Sequence, residues 1–387
     1  MLITTLRFGG AETQVVRLAT ELKRRGWDVA VACMVAPSCH ADLLKREGVT
    51  VYSLDMRRGV PDPRAMLRLA KLIRQFKPDV LHAHMVHANL LARLTRLICS
   101  IPVVICTAHN LRETSERGGP TWHKELLYRM TDFLADRTTI ICKAAYDRYI
   151  ETRAVPAAKL QMIPNGVDTD RFAPSAEIRE RVRKELNLGD SFAWLAVGRL
   201  VEQKDYPNLI SALEHIPEGN WRLLIAGNGP LEATLKARVA ESALMDRVQF
   251  IGTRSNIEQL FNSCDAYVMS SRFEGLSMAL LEASAAGLAA VVTDVGGNRE
   301  LVLDKQTGYV VPPSDSKALG DAMTALMALP DAERRELGAC ARRHCIENYR
   351  FQKVGEEWVR LYRHLMPRIK PQPPGFVIAE EGVLTEE

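Results

Sequence analysis

The sequence predicts an α/β protein built from two doubly wound parallel sheets. Three observations carry that reading. The chain has 387 residues, more than a single hydrophobic core usually serves. Short β-branched apolar runs alternate with amphipathic stretches of helical period. The rhythm then stops at a join holding Pro164, Asn165, Gly166 and Pro174, all turn formers, and starts again.

In the first half, residues 2–6, 29–35, 49–54, 80–82, 103–107 and 138–142 read as strands. Residues 12–25, 63–76, 88–99 and 122–134 read as the helices between them. The first strand is short for such a sheet, which suggests a truncated or misassigned start. In the second half, residues 193–197, 222–226, 248–251, 266–269 and 289–293 are strands. The intervening helices are 207–213, 230–241, 257–264 and 279–286. A strand–helix alternation of this kind gives parallel sheets covered on both faces. A last helix over 351–366 carries Trp358, Leu361 and Leu365 on one face. The expected division is a first domain over 1–168, a second over 169–350, a helix over 351–369 packing back on the first domain, and a flexible tail over 370–387. The tail is rich in proline and glutamate.

Composition narrows the class. Hydrophobic residues make up 47% and charged residues 25% of the chain, a soluble balance. No apolar run approaches the ~18 residues a membrane helix needs. Gly9, Gly10 and Glu12 interrupt the one candidate leader stretch. The eight cysteines form no Cys-x-x-Cys pair and mostly sit in apolar contexts, as Cys33, Cys99, Cys106 and Cys142 do. They read as reduced core thiols of a cytoplasmic protein. The net charge of +4 is uneven, because residues 1–165 hold 25 Lys+Arg against 15 Asp+Glu. A basic half beside an acidic half suggests an anionic partner for one domain. Nucleic acid is disfavoured, since the basic residues are not interleaved with exposed aromatics.

Several segments can carry chemistry. The turn Phe8-Gly9-Gly10-Ala11-Glu12 lets backbone approach a phosphate and opens a helix whose first N–H groups face an anion. A six-position dinucleotide fingerprint is missing, which lowers a dehydrogenase reading. Val197-Gly198-Arg199-Leu200 ends the first strand of the second half, and Lys204 follows. A guanidinium and an ammonium at a strand's C-terminal end suit a diphosphate. The segment from Ser271 to Ala283 follows another strand and places Glu274 in a loop, Ser277 as an N-cap and Glu282 in a helix. A carboxylate can accept both hydrogen bonds of a vicinal diol. His82, His84 and His87 read either as a metal cluster or as a polar cleft lining, and the metal reading is the weaker. Cys340, His344 and Cys345 lack a second ligand pair nearby.

The Ser271–Ala283 segment resembles the Glu-x(7)-Glu motif of the retaining glycosyltransferases of family 4, which have the GT-B architecture of two Rossmann-like domains facing a central cleft. Pro164-Asn165-Gly166-Val167-Asp168 and Ala226-Gly227-Asn228-Gly229-Pro230 match other parts of that family, so the resemblance covers essentially the whole chain. It implies that Gly9 and Gly10 face the donor phosphates and that Arg199 and Lys204 neutralise the diphosphate. It implies that Glu282 binds the ribose and that Glu274, with the N–H groups of Gly275, Leu276, Ser277 and Met278, positions the sugar and phosphate. Arg254 would contact the base through its backbone, and His109 would face the sugar. Asp205 departs from the pattern, because the family often has glycine after this lysine. No metal or other cofactor is implied. Retention and the lack of an obvious nucleophile imply front-face substitution.

Similarity of the segment Met85–Leu90 to enzymes of bacterial exopolysaccharide, capsule or lipopolysaccharide synthesis implies a lipid-linked or oligosaccharide acceptor. The expected donor is a UDP-sugar carrying a hexose or N-acetylhexosamine. The basic stretch Arg64, Arg68, Lys71 and Arg74, extended by Arg93 and Arg96, suggests peripheral docking on the anionic inner face of the cytoplasmic membrane. The alternatives are a soluble small-molecule acceptor, or a non-catalytic partner subunit that binds a sugar nucleotide.

Overall fold

The structure is a computed structural model that describes residues 1–7, 9–109 and 122–366. Phe8, Asn110 and the expected flexible tail lie outside the described residues. The first sheet is built from β1 (Leu2–Ile3), β2 (Ala30–Cys33), β3 (Thr50–Ser53), β4 (Val80–His84), β5 (Val103–Ala108), β6 (Arg137–Ile140) and β7 (Leu160–Met162). Its helices are α1 (Gly10–Arg24), α2 (Ala41–Arg46), α3 (Arg64–Phe76), α4 (Val86–Thr95), α5 (Trp122–Thr131) and α6 (Lys143–Glu151). The second sheet is built from β8 (Phe192–Val197), β9 (Trp221–Ala226), β10 (Val248–Gly252), β11 (Ala266–Met269), β12 (Ala289–Thr293) and β13 (Gly308–Val311). Around it lie α7 (Ala176–Glu185), α8 (Tyr206–Leu213), α9 (Glu232–Ala240), α10 (Ile257–Ser263), α11 (Met278–Ala285), α12 (Asn298–Leu301), α13 (Ser316–Ala328) and α14 (Asp331–Tyr349), and α15 (Phe351–Leu365) closes the described chain.

Every ladder in both sheets is parallel. The strand orders are 3-2-1-4-5-6-7 and 10-9-8-11-12-13, so each sheet reverses direction beside its first strand. Such a reversal opens a crevice at the carboxyl ends of the strands, where ligands of open α/β sheets bind. Strands such as β5 and β12 are buried at every residue, which is why they read as unbroken apolar runs.

The apolar cores explain how the two halves hold together. One face of the first sheet packs Val15, Leu18 and Leu22 of α1 with Phe351, Val354 and Trp358 of α15. A second cluster is continuous across the two sheets, joining Ile141 and Cys142 to Leu276, Met278 and Leu280. The chain passes between the sheets near residue 167 and returns near residue 350, and the two passages bond to each other. Val167 N donates to Tyr349 O at 2.8 Å, and Phe351 N donates to Val167 O at 2.9 Å.

Some elements differ from the sequence reading. The first strand is two residues long rather than five, because beyond Ile3 its carbonyls serve a diverging loop: Thr4 O accepts from Val35 N, and Leu6 O from His40 N. β4 runs on through His84, because His82 and His84 find partners inside the fold. Arg93 is not a surface charge. It is fully buried and donates to Tyr128 O, Thr131 Oγ1 and Thr138 Oγ1. Arg96 is paired with Asp136 at 2.7 Å. Neither is therefore available to extend a basic face from α3.

Candidate active site

The two strand-order reversals face each other, and the segments leaving them carry the site. From the first sheet these are the turn after β1, the histidines at the end of β4 and His109 after β5. From the second they are the turn after β8 and the loop between β11 and α11. Gly10 opens α1 directly opposite α11, and a side chain there would meet Met278 Cγ at 3.2 Å. Gly9 takes the N-cap position with extended backbone.

Lys204 and Glu274 meet at 2.6 Å, with Ser271 Oγ donating to the same carboxylate oxygen at 2.6 Å. Glu274 is 6% exposed. A buried carboxylate needs such partners, because desolvation of an unpaired charge is costly. The lysine stem crosses Gly198, whose missing side chain leaves room for it: a Cβ there would lie 3.2 Å from Lys204 Cε. Arg199 is exposed in the turn directly after β8, five residues before Lys204.

Ser277 caps α11 by accepting from Leu280 N at 3.4 Å, so the loop 274–277 leads straight into a helix start. Gly275 lies against the opposite domain, with a Cβ position 2.3 Å from His109 O. Leu276 O accepts from Asn165 Nδ2 at 3.0 Å, which ties the same loop to the join between the sheets.

Glu282 does not pair with the lysine. Its partner is Arg17 of α1, across the cleft, at 3.5 Å. Burial pushes the Glu282 carboxyl up to about 7, and the Arg17 guanidinium pulls the other way. Gln14 of the same helix bonds the Gly166 peptide twice, donating to its carbonyl at 2.7 Å and accepting from its N–H at 3.0 Å. Gln14 Nε2 also reaches Met278 Sδ at 2.8 Å. Sequence reasoning missed Gln14 and Arg17. A signal was present, since residues 10, 14 and 17 share one helix face at helical spacing.

The histidines form a buried row. His82 Nδ1 meets Tyr362 Oη, and His82 Nε2 meets Thr107 Oγ1, both at 2.6 Å. His84 Nδ1 meets His109 Nε2 at 3.0 Å. Burial holds the His109 imidazole down to about 4 and keeps His82 and His84 well below the usual histidine range. All three are therefore neutral at physiological pH. A small cavity between the first domain and α15 is lined by Gln14, His84, His109, Asn165 and Trp358 among others. His87 is exposed at the start of α4, away from the row. Arg254 is exposed at the end of β10, where its Nε donates back to Ile251 O at 3.1 Å. Among the described residues it forms no ion pair. The structure thus brings Gly10, Met278, Glu282 and His109 to one interface and Lys204 to Glu274, and it leaves Arg254 exposed after β10.

Two Rossmann-like domains facing each other across a cleft make up the architecture of the GT-B glycosyltransferases. Comparison with known proteins agrees with that class. Residues 8–171 match Glycosyltransferase Family 4, and residues 178–344 match Glycosyl transferases group 1. The lipopolysaccharide core biosynthesis mannosyltransferase LpsB of Rhizobium meliloti is 32% identical over 296 residues, 70% of this chain and 76% of that one. The chain belongs to this family of glycosyltransferases and uses a nucleotide-sugar donor.

Two other relatives differ in what their names say they act on. The UDP-Gal:alpha-D-GlcNAc-diphosphoundecaprenol alpha-1,3-galactosyltransferase of Escherichia coli is 29% identical over 274 residues, 68% of this chain and 70% of that one. The alpha-maltose-1-phosphate synthase of Mycolicibacterium smegmatis is 28% identical over 380 residues, 92% of this chain and 95% of that one. Among solved structures, Alr3699/HepE of Anabaena in complex with UDP superposes with a TM-score of 0.83 at 18% identity, covering 94% of this chain and 98% of that one.

Proposed function

We propose that this protein is a retaining transferase that moves a hexose or N-acetylhexosamine from a UDP-sugar to a hydroxyl of a saccharide acceptor in cell-surface polysaccharide synthesis. The carrying observation is the Lys204–Glu274 contact at the carboxyl edge of the second sheet, beside a helix start that faces Gly10. In this reading Lys204 and Arg199 hold the diphosphate, with Gly9 and Gly10 facing it from the first domain. Glu274 and the N–H groups of Gly275 to Met278 hold the sugar and its phosphate, and His109 faces the sugar. Glu282 accepts the ribose hydroxyls, so the donor takes the place of Arg17 on that carboxylate. Arg254 contacts the base through its backbone.

As the sugar–phosphate bond breaks, negative charge grows on the diphosphate and the fixed cations and N–H groups stabilise it. The departing phosphate oxygen accepts the acceptor's proton on the same face, which retains the anomeric configuration. The UDP assignment is supported by the donor in the Escherichia coli relative's name. Binding of UDP, UDP-glucose, GDP-mannose and ADP-glucose is compared by thermal shift, since a ligand of the native state raises its stability. The uridine compounds are expected to raise Tm most, and a response to GDP-mannose alone overturns the assignment. Because a diol is best accepted by an ionised carboxylate, UDP-glucose affinity is expected to rise about tenfold between pH 6 and 8 as Glu282 deprotonates, since that diphosphate diester has no ionisation of its own in this range. In Glu282→Gln that dependence disappears.

The acceptor has two readings. A lipid-linked acceptor follows the undecaprenol-diphosphate acceptor in the Escherichia coli relative's name. A soluble acceptor is favoured by the nearly complete alignment with the maltose-1-phosphate synthase. No helix among the described residues is long and apolar enough to cross a membrane. Peripheral docking is supported by α5 rather than α3. α3 turns Ala65, Leu69, Ala70 and Ile73 inward, whereas Trp122, Leu126 and Met130 of α5, with Phe133 beyond it, form an exposed apolar stripe with Arg129 at its side. The lipid-linked reading expects sedimentation with phosphatidylglycerol vesicles that Trp122→Ser/Phe133→Ser abolishes. No sedimentation at low salt favours the soluble acceptor.

A further inference from the structure

Asp205 occupies the position where the family often has glycine, and its backbone shows why glycine suits it. The residue sits at φ 47° and ψ 46°, in the left-handed region. Side chains are disfavoured there, so the aspartate is kept against a backbone cost. Asp205 also takes the N-cap position of α8, yet its side chain makes no cap hydrogen bond. The ordinary reason for aspartate at a helix start is therefore missing.

The carboxylate turns instead toward the loop that carries Glu274. It is 2% exposed and accepts from Arg272 Nε at 2.9 Å, with Ser314 Oγ at 3.4 Å from the same oxygen. Neutral bonds run beside this ion pair. Arg272 N donates to Gln203 O at 2.9 Å, and Gln203 Nε2 donates to Phe273 O at 3.0 Å. Ser270 Oγ bonds the carbonyls of Lys204 and Asp205 at 2.9 and 3.0 Å. The turn bearing Lys204 and the loop bearing Glu274 are thus laced together one residue from the first and two from the second.

We propose that Asp205 is a positioning residue for transfer: by holding Arg272 it fixes the loop of Glu274 against the turn of Lys204 and sets the spacing of that pair. The proposal rests on the reading of Lys204 and Glu274 as the groups that hold the donor.

The test compares Asp205→Gly, which suits the backbone and removes the carboxylate, with Asp205→Asn, which keeps an acceptor for Arg272 and tolerates the left-handed region. In Asp205→Gly, kcat is expected to fall about tenfold or more with donor KM changed by less than about threefold, and with Tm close to the parent's. Asp205→Asn is expected to stay within about threefold of the parent kcat. Arg272→Ala, a change at a half-exposed side chain, should reproduce the glycine variant's loss, and the double variant should lose no more than either single. Parent-like kcat in both Asp205→Gly and Arg272→Ala, or additive losses in the double variant, overturns the proposal. Lys204→Ala run in parallel separates the two ideas. If it abolishes transfer while Asp205→Gly does not, the positioning role falls alone, and if it leaves transfer intact, the reading of the site falls first.

Discussion

Lys204→Ala is expected to lower kcat/KM by about a thousandfold, corresponding to roughly 4 kcal/mol of lost transition-state stabilisation. The ammonium lies in a partly enclosed site, 17% exposed, where the departing diphosphate of the proposed reading would have its charge screened less than in water. The same substitution strips Glu274 of its cation and leaves a buried carboxylate with Ser271. Breaking one side of such a pair costs about 3–5 kcal/mol of stability. The double variant Lys204→Ala/Glu274→Gln removes that buried charge, so it should regain Tm and remain inactive. Steady-state transfer and thermal unfolding of the two variants separate the chemistry from the fold. Recovery of activity in the double variant would show that Lys204 serves only to solvate Glu274.

Gly275→Ala is expected to cost at least about a hundredfold in kcat through a different route. The added methyl would stand 2.3 Å from His109 O and 3.0 Å from Ile141 Cδ1, both in the opposite domain. The carbonyl is backbone and has no rotamer in which to retreat, so the two domains have to separate by an ångström or more. That separation also opens the apolar cluster that joins Ile141 and Cys142 to Leu276 and Met278. Tm should therefore fall as well, while small-angle scattering should report a more open particle in the presence of UDP. A variant that closes and turns over normally would show that the contact between His109 and Gly275 is not part of the active arrangement.

The sequence made both parallel sheets readable because their strands are short apolar runs buried on two faces. The elements it did not mark have physical reasons for silence. β7 and β13 are edge strands with partly exposed residues, so they lack the unbroken apolar signature. α7 buries Val182 alone, and α14 carries charge nearly all round, so neither shows a clear apolar stripe. Within the site, Glu274 and Glu282 stood out because they share one local segment. Their partners did not, because pairing across a cleft leaves no trace in spacing: Arg17 lies 265 positions before Glu282 in the chain. Arg93 misled for the opposite reason. An arginine on an amphipathic helix looks like solvent-facing charge, and here it is spent on Tyr128, Thr131 and Thr138.

The bonded passages at Val167 and Arg350 set the freedom left to the two halves. A single flexible linker would let one body swivel about any direction. Two strands of chain clipped side by side act as a door hung on a paired pin, which admits swing about one axis and resists shear and twist. Gly166 is pressed against Phe351 at that pin, with a Cβ position 2.8 Å from the ring, so the pin is also tightly seated. Any opening of the cleft is therefore expected to follow a single arc, so that the residues on each rim return to the same register on closing.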